Sequence, residues 1–413
     1  MILPAEIVSL HGMAVGKDRE GGVLVITASA WRPAGAGEKI NKYAVGKFSA
    51  DGVADELFGE GGFAVGSFIP NSGAVESVMA FTLNDRLWVA GGDRFGGQEL
   101  GFGVSRLTLA GAPDHSFGVG GSVFLRLQDI VGPTSSWLAN NVMAALDNRG
   151  RMYLALDVYY VNGDSLPIVV RLLDDGVLDK SWGGEGFKVV ALELGAGSYA
   201  TRLQGIHADG DQVIVSANFN RIEGNTGNKN YIARFTGSGE LDTSFGTNGV
   251  YQYPGASGGV TGWPLLRLVS SSQVEDAPHY LATGARYQVE PVKWLGIVIG
   301  LDSNGHPDER FNNGLPVHVE PDPTAAYVDQ CMTLPNGRII ATGSRVHGTL
   351  ICRFESDGRL DRDFGNDGYI IKTEDDATVH DGIFHTHPVV VSNNRMLINF
   401  RDKQNRAVVD AYT

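Results

Sequence analysis

One eleven-residue string recurs six times in this 413-residue chain, and it constrains the fold more than any other feature. The copies are GVADELFGEGG from Gly52, GAPDHSFGVGG from Gly111, GVLDKSWGGEG from Gly176, GELDTSFGTNG from Gly239, GHPDERFNNG from Gly305 and GRLDRDFGNDG from Gly358. They follow G-x-x-D-x-x-(F/W)-G-x-x-G; in the fifth copy Asn312 replaces a glycine and one residue is missing. The aromatic positions, Phe58, Phe117, Trp182, Phe245, Phe311 and Phe364, lie 53 to 66 residues apart. Self-similarity at a near-constant period marks a repeat architecture, in which each unit buries its apolar face against its neighbours.

Each copy sits in a larger unit of short strands. A strand such as YIARFTGSG (231–239) precedes the motif and another such as GVYQY (249–253) follows it. Upstream lies a hairpin, as in TLPNGRIIATGS (333–344) or HADGDQVIVSA (207–217), with Asn-Gly or Asp-Gly between apolar runs. The second hairpin strand opens at Val23, Leu87, Met152, Val213, Tyr280, Ile339 and Met396, which makes seven units for six motifs. The last unit stops after AVVDAYT (407–413), while AEIVSL (5–10) is left over at the N-terminus. The expected fold is therefore all-β: seven four-stranded sheets forming one domain over residues 1–413, with the N-terminal strand completing the last sheet and closing a ring. Closure removes the unpaired edges of an open array. The 56 glycines fit frequent turns rather than disorder, because 43% of the chain is hydrophobic.

Spacing and motif resemble the delta-60 repeat β-propeller family, over essentially the whole chain. The resemblance implies a bacterial β-propeller and brings almost no functional information with it; the count of strand openings makes its expected blades seven.

The repeated polar residues read as scaffold. A basic residue stands five positions before the first glycine in five motifs (Lys47, Arg106, Arg171, Arg234 and Arg353), with Gly300 in the remaining one. Asp55, Asp114, Asp179, Asp242, Asp308 and Asp361 are the motif carboxylates, and a strand-to-turn charge pair is the economical reading. A ring of calcium-binding or catalytic carboxylates would need asymmetry or convergence, and these occupy identical outer positions. The motif aromatics are expected to plug the space between neighbouring sheets. Cys331 and Cys352 fall in the first and third strands of one unit, so they stand about 9–10 Å apart, beyond disulfide reach. Free buried thiols suit a reducing compartment.

Function is expected at the opposite end of the sheets, where long irregular connections such as NFNRIEGNTGNKN (218–230) and GARYQVEPVKW (284–294) gather. An arginine follows the second strand in six units: Arg32, Arg94, Arg221, Arg286, Arg345 and Arg401, with Tyr159 in the odd place. Arginine suits carboxylate or phosphate recognition, and the bland alternative is local pairing with acids such as Asp93. Trp31, Trp137 and Trp263 share these loops with Tyr160 and Tyr287 and suit stacking on sugar rings or a protein partner. VHDGIFHTHP (379–388) offers His385 and His387 on one side of a strand near His380 and Asp381, a first shell for a divalent metal at the channel mouth. Solvated histidines are the alternative.

No G-x-S-x-G elbow, P-loop or dinucleotide fingerprint in strand-to-helix context occurs. The net charge of −14 argues against a nucleic-acid partner, and no apolar run is long enough for a membrane span. No required cofactor is expected. The leading expectation is a monomeric, non-catalytic scaffold binding a protein or glycan, cytoplasmic or exported without a cleavable signal. The alternative is a metal-assisted hydrolase or lyase built on His385 and His387.

Overall fold

The computed structural model describes residues 7–17, 23–31, 42–49, 53–70, 72, 75–95, 99–132, 142–159, 165–192, 199–221, 229–253, 265–289, 292–321, 326–345, 348–373, 389–392, 395–401 and 407–412. The chain divides into two compact units. One comprises Met1–Ala191 with Val389–Phe400 and Arg406–Thr413; the other is Leu192–Pro388 with Arg401–Asn405.

In the first unit, one sheet holds β1 to β4 (Ile7–Lys17, Val23–Trp31, Lys42–Ser49, Phe63–Gly66), and the next holds β5 to β8 (Glu76–Leu83, Arg86–Phe95, Glu99–Thr108, Ser122–Arg126). The third has β9 to β12 (Met143–Leu146, Met152–Tyr159, Ser165–Leu172, Phe187–Val189). The second unit contributes β13 to β16 (Tyr199–Asp209, Gln212–Arg221, Lys229–Phe235, Val250–Gln252) and β17 to β20 (Leu265–Ser271, Tyr280–Val289, Val292–Leu301, Val317–Val319). It is completed by β21 to β24 (Ala326–Thr333, Ile339–Arg345, Gly348–Phe354, Tyr369–Thr373). A three-stranded sheet, β25 to β27 (Val389–Ser392, Arg395–Arg401, Ala407–Tyr412), belongs to the first unit. Each sheet is an antiparallel meander, and every second strand opens within one residue of the position expected from the turn chemistry. No helix among the described residues is long and apolar enough to cross a membrane.

One topological expectation is corrected. The N-terminal strand does not complete the last sheet; it pairs with β2, from Ile7 opposite Trp31 to Lys17 opposite Val23, and is the first strand of the first sheet. The physical reason lies in the continuation after Leu10, since Met13, Ala14 and Val15 extend the strand and supply the partner that β2 would otherwise lack.

The six motifs close the links between third and fourth strands, and their chemistry repeats. The aspartate N–H donates to the basic residue's carbonyl and its own carbonyl accepts the aromatic residue's N–H, as in Asp114 to Arg106 at 2.9 Å and Phe117 to Asp114 at 3.0 Å. Side chains then pair: Lys47–Asp55 at 2.7 Å, Arg106–Asp114 at 2.9 Å, Arg171–Asp179 at 2.7 Å, Arg234–Asp242 at 2.8 Å and Arg353–Asp361 at 2.7 Å. At the fifth motif Gly300 leaves room for Phe311, and Arg310 reaches Asp308 at 2.7 Å from within the turn.

All six aromatics are buried. Within each unit, their rings press on the first glycine of the following motif. A Cβ built on Gly111 would stand 3.1 Å from Phe58, on Gly176 2.9 Å from Phe117, on Gly305 2.4 Å from Phe245, and on Gly358 3.1 Å from Phe311. The residue after the aromatic also donates its N–H to the next repeat: Gly59 to Ala110 at 2.9 Å, Gly118 to Asp175 at 3.1 Å, Asn312 to Asp357 at 2.9 Å. The motif therefore spans sheets, with its aromatic end in one repeat and its glycine end in the next.

Burial would raise the carboxyl pKa of Asp114, but hydrogen bonds from Ser116 and Arg86 and the Arg106 charge outweigh it and hold the carboxyl well below the usual range. Asp179 and Asp242 are likewise raised by burial, yet lowered on balance by Ser181 or Ser244 and their arginines. A carboxylate with a depressed folded pKa stabilises the fold above its unfolded value, near 3.8, and that stability is lost as pH falls further. Acid titration followed by circular dichroism should show unfolding that begins near pH 4 and steepens below it; a flat melting temperature down to pH 2 would contradict the assignment.

Cys331 and Cys352 are buried and free, both registered to Ala341 of the intervening strand. Burial pushes both thiols up. Neither is expected to react with a thiol reagent in the native state, and both should react after unfolding.

Candidate functional site

Arg32, Trp137, Tyr160, Trp263, His380, Asp381, His385 and His387 lie outside the described residues. Trp31, Arg221, Arg345 and Arg401 are the last residues of β2, β14, β22 and β26. Tyr159 ends β10, opposite Ser165. Tyr287 pairs with Trp294 across β18 and β19.

Register resolves the arginine series into separate positions. Counting along the second strand from the residue opposite the basic position of the third (Trp88 opposite Arg106, Ile214 opposite Arg234, Leu281 opposite Gly300, Ile340 opposite Arg353), Arg286 and Arg345 fall on equivalent sites. Arg94 is one residue further along, and Arg221 two. Strand side chains alternate in direction, so Arg94 belongs to the other face of its sheet. The residue equivalent to Arg286 in β6 is Asp93. It is fully buried and accepts hydrogen bonds from the Ser72 hydroxyl, from Arg94 N–H at 2.8 Å and from Ile69 N–H at 3.2 Å. Burial raises its pKa, and its role is to hold the connection after β4.

In the second unit the loop-bearing end of the β13–β16 sheet is built differently. Asn218 of β14 and Asn230 of β15 stand opposite one another, 7% and 1% exposed. They share a face with Ile214 and Ile232, which pack with Tyr280, Ala282, Ile297 and Ile299 of the next sheet. Arg286 belongs to the face of β18 that carries Tyr280 and Ala282, so it is turned into the same gap. Tyr251 and Tyr253 close the outer side, and the Tyr253 N–H donates to the Asn230 carbonyl at 3.1 Å.

The side-chain chemistry here is unfinished. Asn218 Oδ1, both polar atoms of the Asn230 amide and Arg286 Nε are buried without a hydrogen-bond partner in the protein. Each such group costs about 1–3 kcal/mol, so a cluster of them is not a packing device. Burial raises the Tyr253 phenol, against the opposing Arg286 charge, while burial and then the Arg286 charge hold His318 below the usual histidine range. The position is also asymmetric. Where β14 and β15 carry the Asn pair, the other sheets carry Ala30 and Tyr43, Gly92 and Phe102, Asp157 and Pro167, Ala285 and Gly296, or Ser344 and Thr349.

Arg286 was legible as a candidate from the sequence; the asparagines were not. They flank the 218–230 connection, and their signal appears only when the repeats are aligned strand by strand and the Asn pair is seen to occur in one sheet alone among those compared. Among the described residues no group of histidines, cysteines and carboxylates is arranged to hold a metal.

A separate polar cluster lies at the tight-turn end. His207 Nε2 and Ser271 Oγ are 2.8 Å apart, while Asp209 accepts from Tyr280 at 2.7 Å and from His279 at 3.0 Å. It ties β13 to β17 and β18. Burial lowers the His207 pKa to about 4 from 6.5. A histidine kept neutral in the fold supports stability above its unfolded pKa, and that support is lost as pH falls from 6.5 toward 4. His207→Gln should flatten the melting temperature across that interval; an unchanged slope would show that the histidine is not the sensing group.

Comparison with known proteins adds the family of the repeat. Two stretches match a β-propeller family model. It is described as a domain of unknown function (DUF5122) beta-propeller and covers residues 209–245 and 334–364, each running from a hairpin turn to the motif aromatic. No curated protein matches the sequence. Similar solved structures include an alpha-L-arabinanase from Penicillium chrysogenum complexed with arabinobiose, with 9% identity, TM-score 0.47, and coverage of 87% of this chain and 97% of that one. Another is the polysaccharide lyase ulvan lyase, with 10% identity, TM-score 0.46, and 99% and 95% coverage. A third is the β-propeller domain of the trilobed protease from Pyrococcus furiosus, with 8% identity, TM-score 0.46, and 98% and 95% coverage. The expectation of a non-catalytic scaffold is corrected at this point: the similar structures include an arabinanase and a polysaccharide lyase.

Proposed function

We propose that this chain is a carbohydrate-active hydrolase or lyase, and that the Asn218, Asn230 and Arg286 cluster contacts its substrate. The observation that carries this reading is the set of buried amide and guanidinium atoms without protein partners, with an Asn pair that none of the five equivalent strand pairs repeats. Carboxamides both donate and accept, which matches sugar hydroxyl groups, and binding sites combine apolar walls with a few convergent polar groups. Tyr251 and Tyr253 supply aromatic walls here. For the metal-assisted form of the reaction, the proposed ligands are His385, His387 and Asp381. The finer reading of the repeat as the delta-60 type, with β25 to β27 as the seventh of seven units, is likewise our proposal.

The test is incubation of the purified chain with a panel of neutral and acidic polysaccharides, with and without a chelator. New reducing ends would indicate hydrolysis, and new ultraviolet absorbance from an unsaturated sugar would indicate elimination. Chelator-sensitive cleavage lost in His385→Ala would support the metal-assisted form. Absence of cleavage across the panel by folded, metal-supplemented protein would overturn the reading. In the same assay Asn230→Leu should lose cleavage while its melting temperature stays level or rises, since an unpartnered buried amide has been replaced by an apolar group of similar size.

A further inference from the structure

Resting on the carbohydrate reading, we infer that the site between β13–β16 and β17–β20 takes a carboxylate-bearing sugar, a uronate, with Arg286 as the group that selects it. The asparagines alone would suit any polyhydroxylated ligand. Arg286 changes the chemistry, because a guanidinium stays charged at every relevant pH and presents its N–H groups as a planar fork that a carboxylate matches with two parallel hydrogen bonds.

Three observations point the same way. First, Arg286 Nε is buried without a hydrogen-bond partner, and Arg286 forms no ion pair among the described residues, whereas Arg106, Arg171, Arg234 and Arg353 each pair with an aspartate. That Nε–H has been taken out of water without gaining a protein acceptor, which a ligand oxygen would supply. Second, the groups lining the same gap are phenols, amides and an imidazole: Tyr251 and Tyr253 from the outer strand side, Asn218 and Asn230 from the opposite sheet, and His318, which feels the Arg286 charge. None of these supplies negative charge at neutral pH, since burial pushes both phenols up. Third, the equivalent residue of the second sheet is Asp93, whose carboxylate is saturated by protein donors and holds a loop. The same site in the fold thus serves structure where it is satisfied and is left open to a ligand where it is not.

The experiment compares glucuronate, its methyl ester and glucose as probes of the full-length wild-type protein, by calorimetric titration and by shift of the melting temperature. Glucuronate should bind at least about tenfold more tightly than the ester or glucose, the loss expected when a charged hydrogen bond is removed. Arg286→Gln should bring glucuronate down to the level of glucose, and Asn230→Asp should weaken glucuronate further by repulsion. Equal affinity for the acid and its ester in the wild-type protein overturns the inference, as does undiminished glucuronate binding by Arg286→Gln. Preference for glucose 6-sulfate over glucuronate would reassign the anion and overturn the uronate. If Arg286→Gln fails to fold, the acid–ester comparison decides alone. Glucuronate binding without cleavage of any polysaccharide sinks the enzyme reading and leaves this inference standing. Cleavage of a neutral polysaccharide and of no acidic one by the wild-type protein does the reverse.

Discussion

Replacing Asp179 with alanine should destabilise the first unit by about 3–5 kcal/mol, measured by urea unfolding. The figure follows from what is left behind. Arg171 is 3% exposed and held by Asp179 at 2.7 Å, with its guanidinium also 5.7 Å from the Trp182 ring centre. Without the carboxylate the buried guanidinium loses its aspartate counter-charge, and the turn loses the acceptor for Ser181 N–H and Oγ. The first motif is the internal comparison. There Lys47 and Asp55 are respectively 14% and 33% exposed in their side chains, and Asp55→Ala should cost only about 0–1 kcal/mol, the value of a solvated pair. If the two substitutions cost the same, burial is not what makes these pairs matter.

Gly305→Ala should be nearly as damaging, at about 2–5 kcal/mol. Two costs combine. Gly305 has φ +76°, where a side chain costs about 1–2 kcal/mol, and the new Cβ would stand 2.4 Å from the Phe245 ring, where overpacking costs about 1–3 kcal/mol. Phe245 cannot retreat easily, because it is fully buried, lies against Tyr280 with ring centres 6.0 Å apart, and has the Arg234 guanidinium 4.7 Å from its ring centre. Shrinking the ring supplies the check. Phe245→Leu with Gly305→Ala should recover part of the loss if the collision is real, giving a non-additive double-mutant cycle. Strict additivity would leave backbone conformation as the only cause.

These two cases show why the scaffold could be read from the chain and the candidate site could not. Turn chemistry is local: a glycine at positive φ, an aspartate accepting N–H groups two residues on, an Asn-Gly pair between apolar runs. It repeats, so six copies report on one geometry. The displaced N-terminal strand is instructive, because counting strands left β1 without a partner, and only the length of the apolar segment beyond Leu10 settles its pairing with β2. The residues of the proposed site behave oppositely. Asn218 and Asn230 are ordinary residues whose meaning comes from standing opposite each other across two strands and facing a third, 68 residues further on from Asn218 in Arg286. The arginine series looked uniform in sequence because loop lengths blurred a one-residue slip, and in a strand one residue changes the face.

The placement of the motif at one end of the sheets and of the Asn pair at the other has an evolutionary consequence. Selection on folding acts on the turn end, repeat by repeat, while the loop end is free to diversify, because a change there leaves every inter-repeat lock intact. On the reading proposed above, chains sharing this repeat need not share a ligand, since the Asn pair differs from its counterparts in every other sheet compared. Inheritance of the scaffold and inheritance of the chemistry are, in such a protein, separate lineages.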